Sequence, residues 1–156
     1  MAKKPKHSVS VSAQKDPSSN TSPSSFKTPK HINYNDSDSL NPAWRVSNLE
    51  TVDPFGWHKI TDQETMNVIR EKLKGFESMT WHEILIKAKK QNHSIQREKL
   101  CPDAQKRLRA LNLDDQDDFV SLRVTGEQRI WGIKQHNVLL LLWWDPGHKI
   151  CPISKN

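Results

Sequence analysis

The run VLLLLWW (138–144) constrains this chain more than any other feature. Seven consecutive apolar residues must be buried, yet they are far too few to cross a bilayer, which takes about 20. An apolar run of this length bounded by turn residues fits a strand buried on both faces. On a strand, Trp143 and Trp144 point to opposite faces, so at least one packs under helices. The run stops at Asp145-Pro146-Gly147-His148, a turn that would hold His148 at the rim of a sheet.

Two further strands precede it, FVSLRV (119–124) and RIWGIK (129–134), joined by connections short enough for antiparallel hairpins. The apolar run is then expected as the middle strand, covered by helices on at least one side. Upstream, WRVSNLE (44–50) reads as a weak first strand and Asp53-Pro54-Phe55-Gly56 as a turn. TDQE (61–64) has the form of a capping box with Thr61 as N-cap. Met66, Val68, Ile69, Leu73 and Phe76 follow at helical spacing, with Gly75 near the end. A second capping box, TWHE (80–83), predicts a helix to about Lys90 with Ile84, Leu85 and Ala88 inward. Pro102 opens a third, with Ala104, Leu108 and Leu111 on one face. The expected fold class is α+β: a small antiparallel sheet of three C-terminal strands plus a first strand, packed with two to three helices.

Only 34% of the 156 residues are apolar and 27% are charged, which leaves room for one compact domain and a tail. Composition changes near residue 43. Residues 1–42 hold five of the nine prolines and ten serines, with Phe26, Tyr34 and Leu40 scattered among them. Such a segment buries too little to offset its ordering entropy, so residues 1–43 are expected as a disordered tail and 44–156 as the domain. Six lysines against three aspartates give the tail half of the net charge of +6. It reads either as a flexible basic arm or as a solubilising extension. The basic N-terminus lacks an apolar core of the secretory kind, so a soluble, cytoplasmic protein without membrane contact is expected. Cys101 and Cys151 lack CxxC spacing and read as free thiols, with a single disulfide as the alternative.

Arg123, Glu127 and Arg129 cluster on the first C-terminal hairpin, and Arg129 shares a strand face with Trp131. With His148 at the sheet rim, they form a set suited to acid–base cleavage of RNA. In that reaction a ribose 2′-hydroxyl attacks the adjacent phosphate, a base takes its proton and an acid protonates the leaving oxygen. The opposing reading is a set of solvated cross-strand pairs and a surface turn histidine. Trp131 and Trp144 are open to two readings, core packing or a platform for a base near Arg129. His58, His82, His93 and His136 fall at turns and helix ends. His148-x-x-Cys151 is the one metal-like pair, and no metal or other cofactor is expected.

The block RVTGEQRIW (123–131), the hairpin, the apolar strand and the terminal histidine resemble the C-terminal half of the RelE/YoeB family, ribosome-associated toxins of bacterial toxin–antitoxin pairs. The resemblance covers about residues 119–150. It implies a small sheet with helices before the hairpins and a ribosome-dependent endoribonuclease acting on mRNA. Arg129 would stabilise the scissile phosphate, and His148 would serve as general acid or orient the leaving group. Glu127 would be the acid–base partner and Arg123 an RNA contact. The implied partners are mRNA on the ribosome and a cognate antitoxin. Lys149, Ile150 and Cys151 stand where the family commonly carries an aromatic beside the histidine. The alternative is a non-catalytic RNA- or protein-binding module on the same sheet.

Overall fold

A computed structural model of the chain describes residues 34–153. Most of the expected tail therefore lies outside the described residues. The elements are β1 (Ala43–Arg45), α1 (Gln63–Glu77), β2 (His93–Gln96), α2 (Pro102–Ala110), β3 (Asp118–Arg123), β4 (Arg129–Gln135) and β5 (Val138–Asp145). The strands form one five-stranded sheet in the order β1-β5-β4-β3-β2. The α+β class and the three C-terminal hairpin strands are as expected from the sequence. Two details differ. β1 runs parallel to β5, so the sheet is mixed, and β4 rather than β5 is the central strand. No described helix is long and apolar enough to cross a membrane.

Folded structure also begins earlier than the composition suggests. Tyr34–Ser39 forms a short 3-10 segment, in which Ser37 is buried and accepts a hydrogen bond from Lys134 Nζ at 2.8 Å. Both helix-start signals act locally, the first with a shift of one residue. Asp62, one residue past Thr61, caps α1 by accepting from the Thr65 amide at 2.7 Å. The second capping box forms reciprocally: Thr80 Oγ1 accepts from the Glu83 amide and Glu83 Oε2 from the Thr80 amide. The helix it opens, however, widens into a π turn over Glu83–Lys87 and stops at Ala88. The chain then enters β2, an edge strand that residue order does not announce. HSIQ carries one apolar residue, too few to register as alternation.

β5 explains the layering. Trp143 lies on the face packed by Ala104 and Leu108 of α2, together with Phe119, Trp131, Ile133, Phe55 and Ile150. Trp144 lies on the other, with Ile69 and Phe76 of α1, Trp81, Ile84, Val120 and Ile130. Each large side chain so buried contributes about 1.5–3 kcal/mol, and a strand apolar on both faces recovers that only between two layers. Strict alternation fails at one point. Trp131 pairs with Trp143 but Gly132 pairs with Leu141, so Leu142 is an extra residue and both Leu142 and Trp143 face α2.

The loop before α1 is tied to this bulge by Glu50. Its amide donates to Leu142 O at 3.0 Å. Its carboxylate, nearly buried, accepts from Arg107 Nε at 3.0 Å and from the indole of Trp143 at 2.7 Å. Opposite the bulge, a methyl group on Gly132 would lie 2.5 Å from Leu140 O and 2.8 Å from Leu139 Cγ, closer than any packing allows.

Two substitutions test this arrangement by urea unfolding. Gly132→Ala should destabilise by about 2 kcal/mol or more through overpacking. Glu50→Ala should cost about 2–4 kcal/mol, because it leaves the buried Trp143 N–H and the Arg107 guanidinium without their acceptor.

Candidate functional site

Asp145, the last residue of β5, is 1% exposed. Its two oxygens accept the backbone N–H groups of Lys149 and Ile150 at 2.9 and 3.0 Å. From the other side, the Cys101 amide donates to Ile150 O at 2.7 Å. The chain reversal after β5 is thus clamped by a buried carboxylate and by the start of α2. His148 sits at its apex with φ of 53°, the left-handed region that few non-glycine residues occupy.

Arg129 starts β4, opposite Arg123 of β3 on one side and Asp145 of β5 on the other. The β3–β4 turn closes through Gln128, whose amide donates to Thr125 O, and Gly126 supplies its positive φ. Arg129 Nη1 donates to Gly126 O at 2.8 Å and to Gln128 O at 3.0 Å. Nε is buried without a hydrogen-bond partner among the described residues. Burial, then the neighbouring Arg123, push the guanidinium below its ordinary pKa, against the pull of Asp145 and Glu127. It stays charged at neutral pH, because an arginine starts so far above it.

These groups share one open cleft of about 570 Å³, lined among others by Arg123, Glu127, Arg129 and His148. Arg123 ends β3 and Arg129 starts β4, while Glu127 and His148 lie on the turns beside them. The sequence-predicted set is therefore brought together, with Glu127 on the exposed hairpin turn. The two tryptophans are not part of it. Trp131 is 0% exposed under α2, and Trp144 is 2% exposed on the opposite face, packed against Trp57. Neither offers a ring to a base, because the sheet needs both rings as core.

The cleft also holds residues outside the set expected from the sequence. Lys90 and His93 line it from the β2 side and Cys151 from the C-terminal segment. His93 stands opposite Ser121 in the β2–β3 ladder, two residues along β3 from the Arg123–Arg129 pair. Burial, then Arg129 and His148, lower its pKa, so it is neutral at pH 7. No local pattern marks His93, since β2 itself carries too little apolar signal. Among the described residues, Glu127 is the one carboxylate that lines the cleft beside Lys90, Arg123 and Arg129. The balance favours an anion, and the imidazoles can move protons beside it.

Asp145→Ala should strip two charge-assisted hydrogen bonds from the turn, at about 2–3 kcal/mol. Amide hydrogen exchange at Lys149 and Ile150 should accelerate more than in the centre of β4; equal protection in both proteins would refute the clamp. No family model, no curated protein and no solved structure matches this chain.

Proposed function

We propose that this cleft cleaves RNA, and that the chain is a ribosome-dependent endoribonuclease of the RelE/YoeB type. It would act on mRNA in the cytoplasm as the toxin of a toxin–antitoxin pair. The observation that carries this reading is the convergence of Arg123, Glu127, Arg129 and His148 on one open cleft. They come from three separate strand ends.

The chemistry follows from the groups present. A phosphodiester entering the cleft meets Arg129 and Arg123, whose charges offset what gathers on the phosphate oxygens during displacement. His148 protonates the leaving 5′-oxygen, and its left-handed backbone is held by Asp145. Glu127, on the exposed turn, draws on Arg129 and is the carboxylate within reach of the reacting groups. An isolated protein of this kind leaves substrate alignment to the ribosome, so naked RNA is a poor substrate.

A binding module without catalysis is the second reading, favoured by one feature: Arg129 Nη1 is already occupied by two carbonyls of its own turn. Cell-free translation of a defined mRNA, with cuts mapped by primer extension, separates the two. The wild-type protein should cut only in the presence of ribosomes. His148→Ala and Arg129→Lys should each lose about 100-fold or more. The lysine variant keeps the charge but not the fork that grips a phosphate. Intact mRNA with unimpaired translation would overturn the nuclease reading in favour of a binding module.

A further inference from the structure

We propose that His93 is the proton acceptor of this site and works as a pair with His148. The inference rests on the nuclease reading above and supplies the base that reading needs. His93 belongs to the edge strand β2 and His148 to the turn after β5, three strands away in the sheet, and both line one cleft. Three inter-strand spacings separate β2 from β5, about 14 Å of backbone. His148, Cys151, Pro152 and Ile153 of the returning segment line the same cleft as His93, Ser94 and Ile95 of β2. Arg129 and Arg123 lie between the two, on the intervening strands.

An in-line displacement at phosphorus needs this order of groups: acceptor, cation, donor. As the 2′-oxygen bonds to phosphorus, its proton passes to a ring nitrogen of neutral His93. The bond from phosphorus to the 5′-oxygen breaks, and that oxygen takes a proton from the His148 imidazolium. The products are a 2′,3′-cyclic phosphate and a 5′-hydroxyl, with no change of oxidation state. Exchange with water then returns each imidazole to its starting form.

Glu127 fits the acceptor role less well. It lies on the exposed tip of the β3–β4 turn, and Arg129 is its charged neighbour. The groups facing His93 are Lys90 before β2, Arg123 on β3, Glu127 and Arg129 on the hairpin, and His148 and Cys151 on the C-terminal segment. Partial burial first, then Arg129 and His148, hold the imidazole below its ordinary value of 6.5. An acceptor works in its neutral form. Cleavage should therefore rise with pH through a pKa under 6.5 and be complete in that limb by neutrality.

The test is single-turnover cleavage of a short mRNA on purified, programmed ribosomes, from about pH 5.5 to about 8. His93→Gln is compared with the wild type and with His136→Gln, which lies in the distant β4–β5 turn. His93 is exposed at a sheet edge, so His93→Gln should keep the wild-type thermal unfolding curve. It should cleave about 100-fold more slowly at pH 7 and lose the acidic limb, while His136→Gln retains both. Wild-type cleavage matched in rate and pH profile by His93→Gln would overturn this assignment and leave the nuclease reading standing. Slow cleavage that keeps the acidic limb would equally overturn it, making His93 a positioning residue. Absence of cleavage by the wild type would overturn both.

Discussion

The burial of β5 on both faces is the constraint from which the rest of this structure follows. A strand with leucines and tryptophans on each side cannot end a sandwich, so helices must lie on both faces of the sheet. The sequence supplies them from one stretch: α1 and the Trp81–Ile84 turn for one side, α2 for the other. The bulge at Leu142 adjusts the fit by turning two consecutive large residues toward α2. Gly132 gives the backbone room beside it. Glu50, Arg107 and the Trp143 indole then fasten the incoming loop and α2 to the same place.

The candidate site grows out of the end of this strand. Where the apolar residues stop, Asp145 remains buried, and a buried carboxylate must find donors. It finds them in the two amides of Lys149 and Ile150, which reverse the chain and place His148 over the sheet end. The cost of burying a charge is thereby converted into a rigid turn. Arg129 is held in a similar way, by carbonyls of its own hairpin. Both groups are positioned by backbone partners: Asp145 by two amides and Arg129 by two carbonyls.

Much of this was legible in residue order. The three C-terminal strands, α1 and α2 announce themselves through apolar spacing, capping residues and Pro102. The opposed faces of Trp143 and Trp144 follow from strand geometry alone. Legibility failed where the signal is not local. β2 has Ile95 as its lone apolar residue and exists because β3 offers an unpaired edge. β1 lies parallel to β5 because residues 41–43 are bonded to Asn137 in the β4–β5 turn, a contact across about ninety positions. The 3-10 segment before β1 is likewise marked only at long range, by the hydrogen bond from Lys134 to Ser37.

The candidate residues divide along the same line. Arg123, Glu127, Arg129 and His148 stand out by sequence because they flank strands on short turns, where spacing nearly dictates position. That Trp131 and Trp144 are core follows only once both sheet faces are covered, since an aromatic on a strand is equally suited to packing and to stacking. His93 belongs to the cleft only through the pairing of β2 with β3. By itself the sequence determined the strand hairpins, the helix starts and the placing of charge at the strand ends, all consequences of neighbours within a few residues. The tertiary structure alone decided which strands became edges, which tryptophans lost their water, and which histidines share a cleft. Those outcomes depend on burial and pairing between segments that local order does not encode.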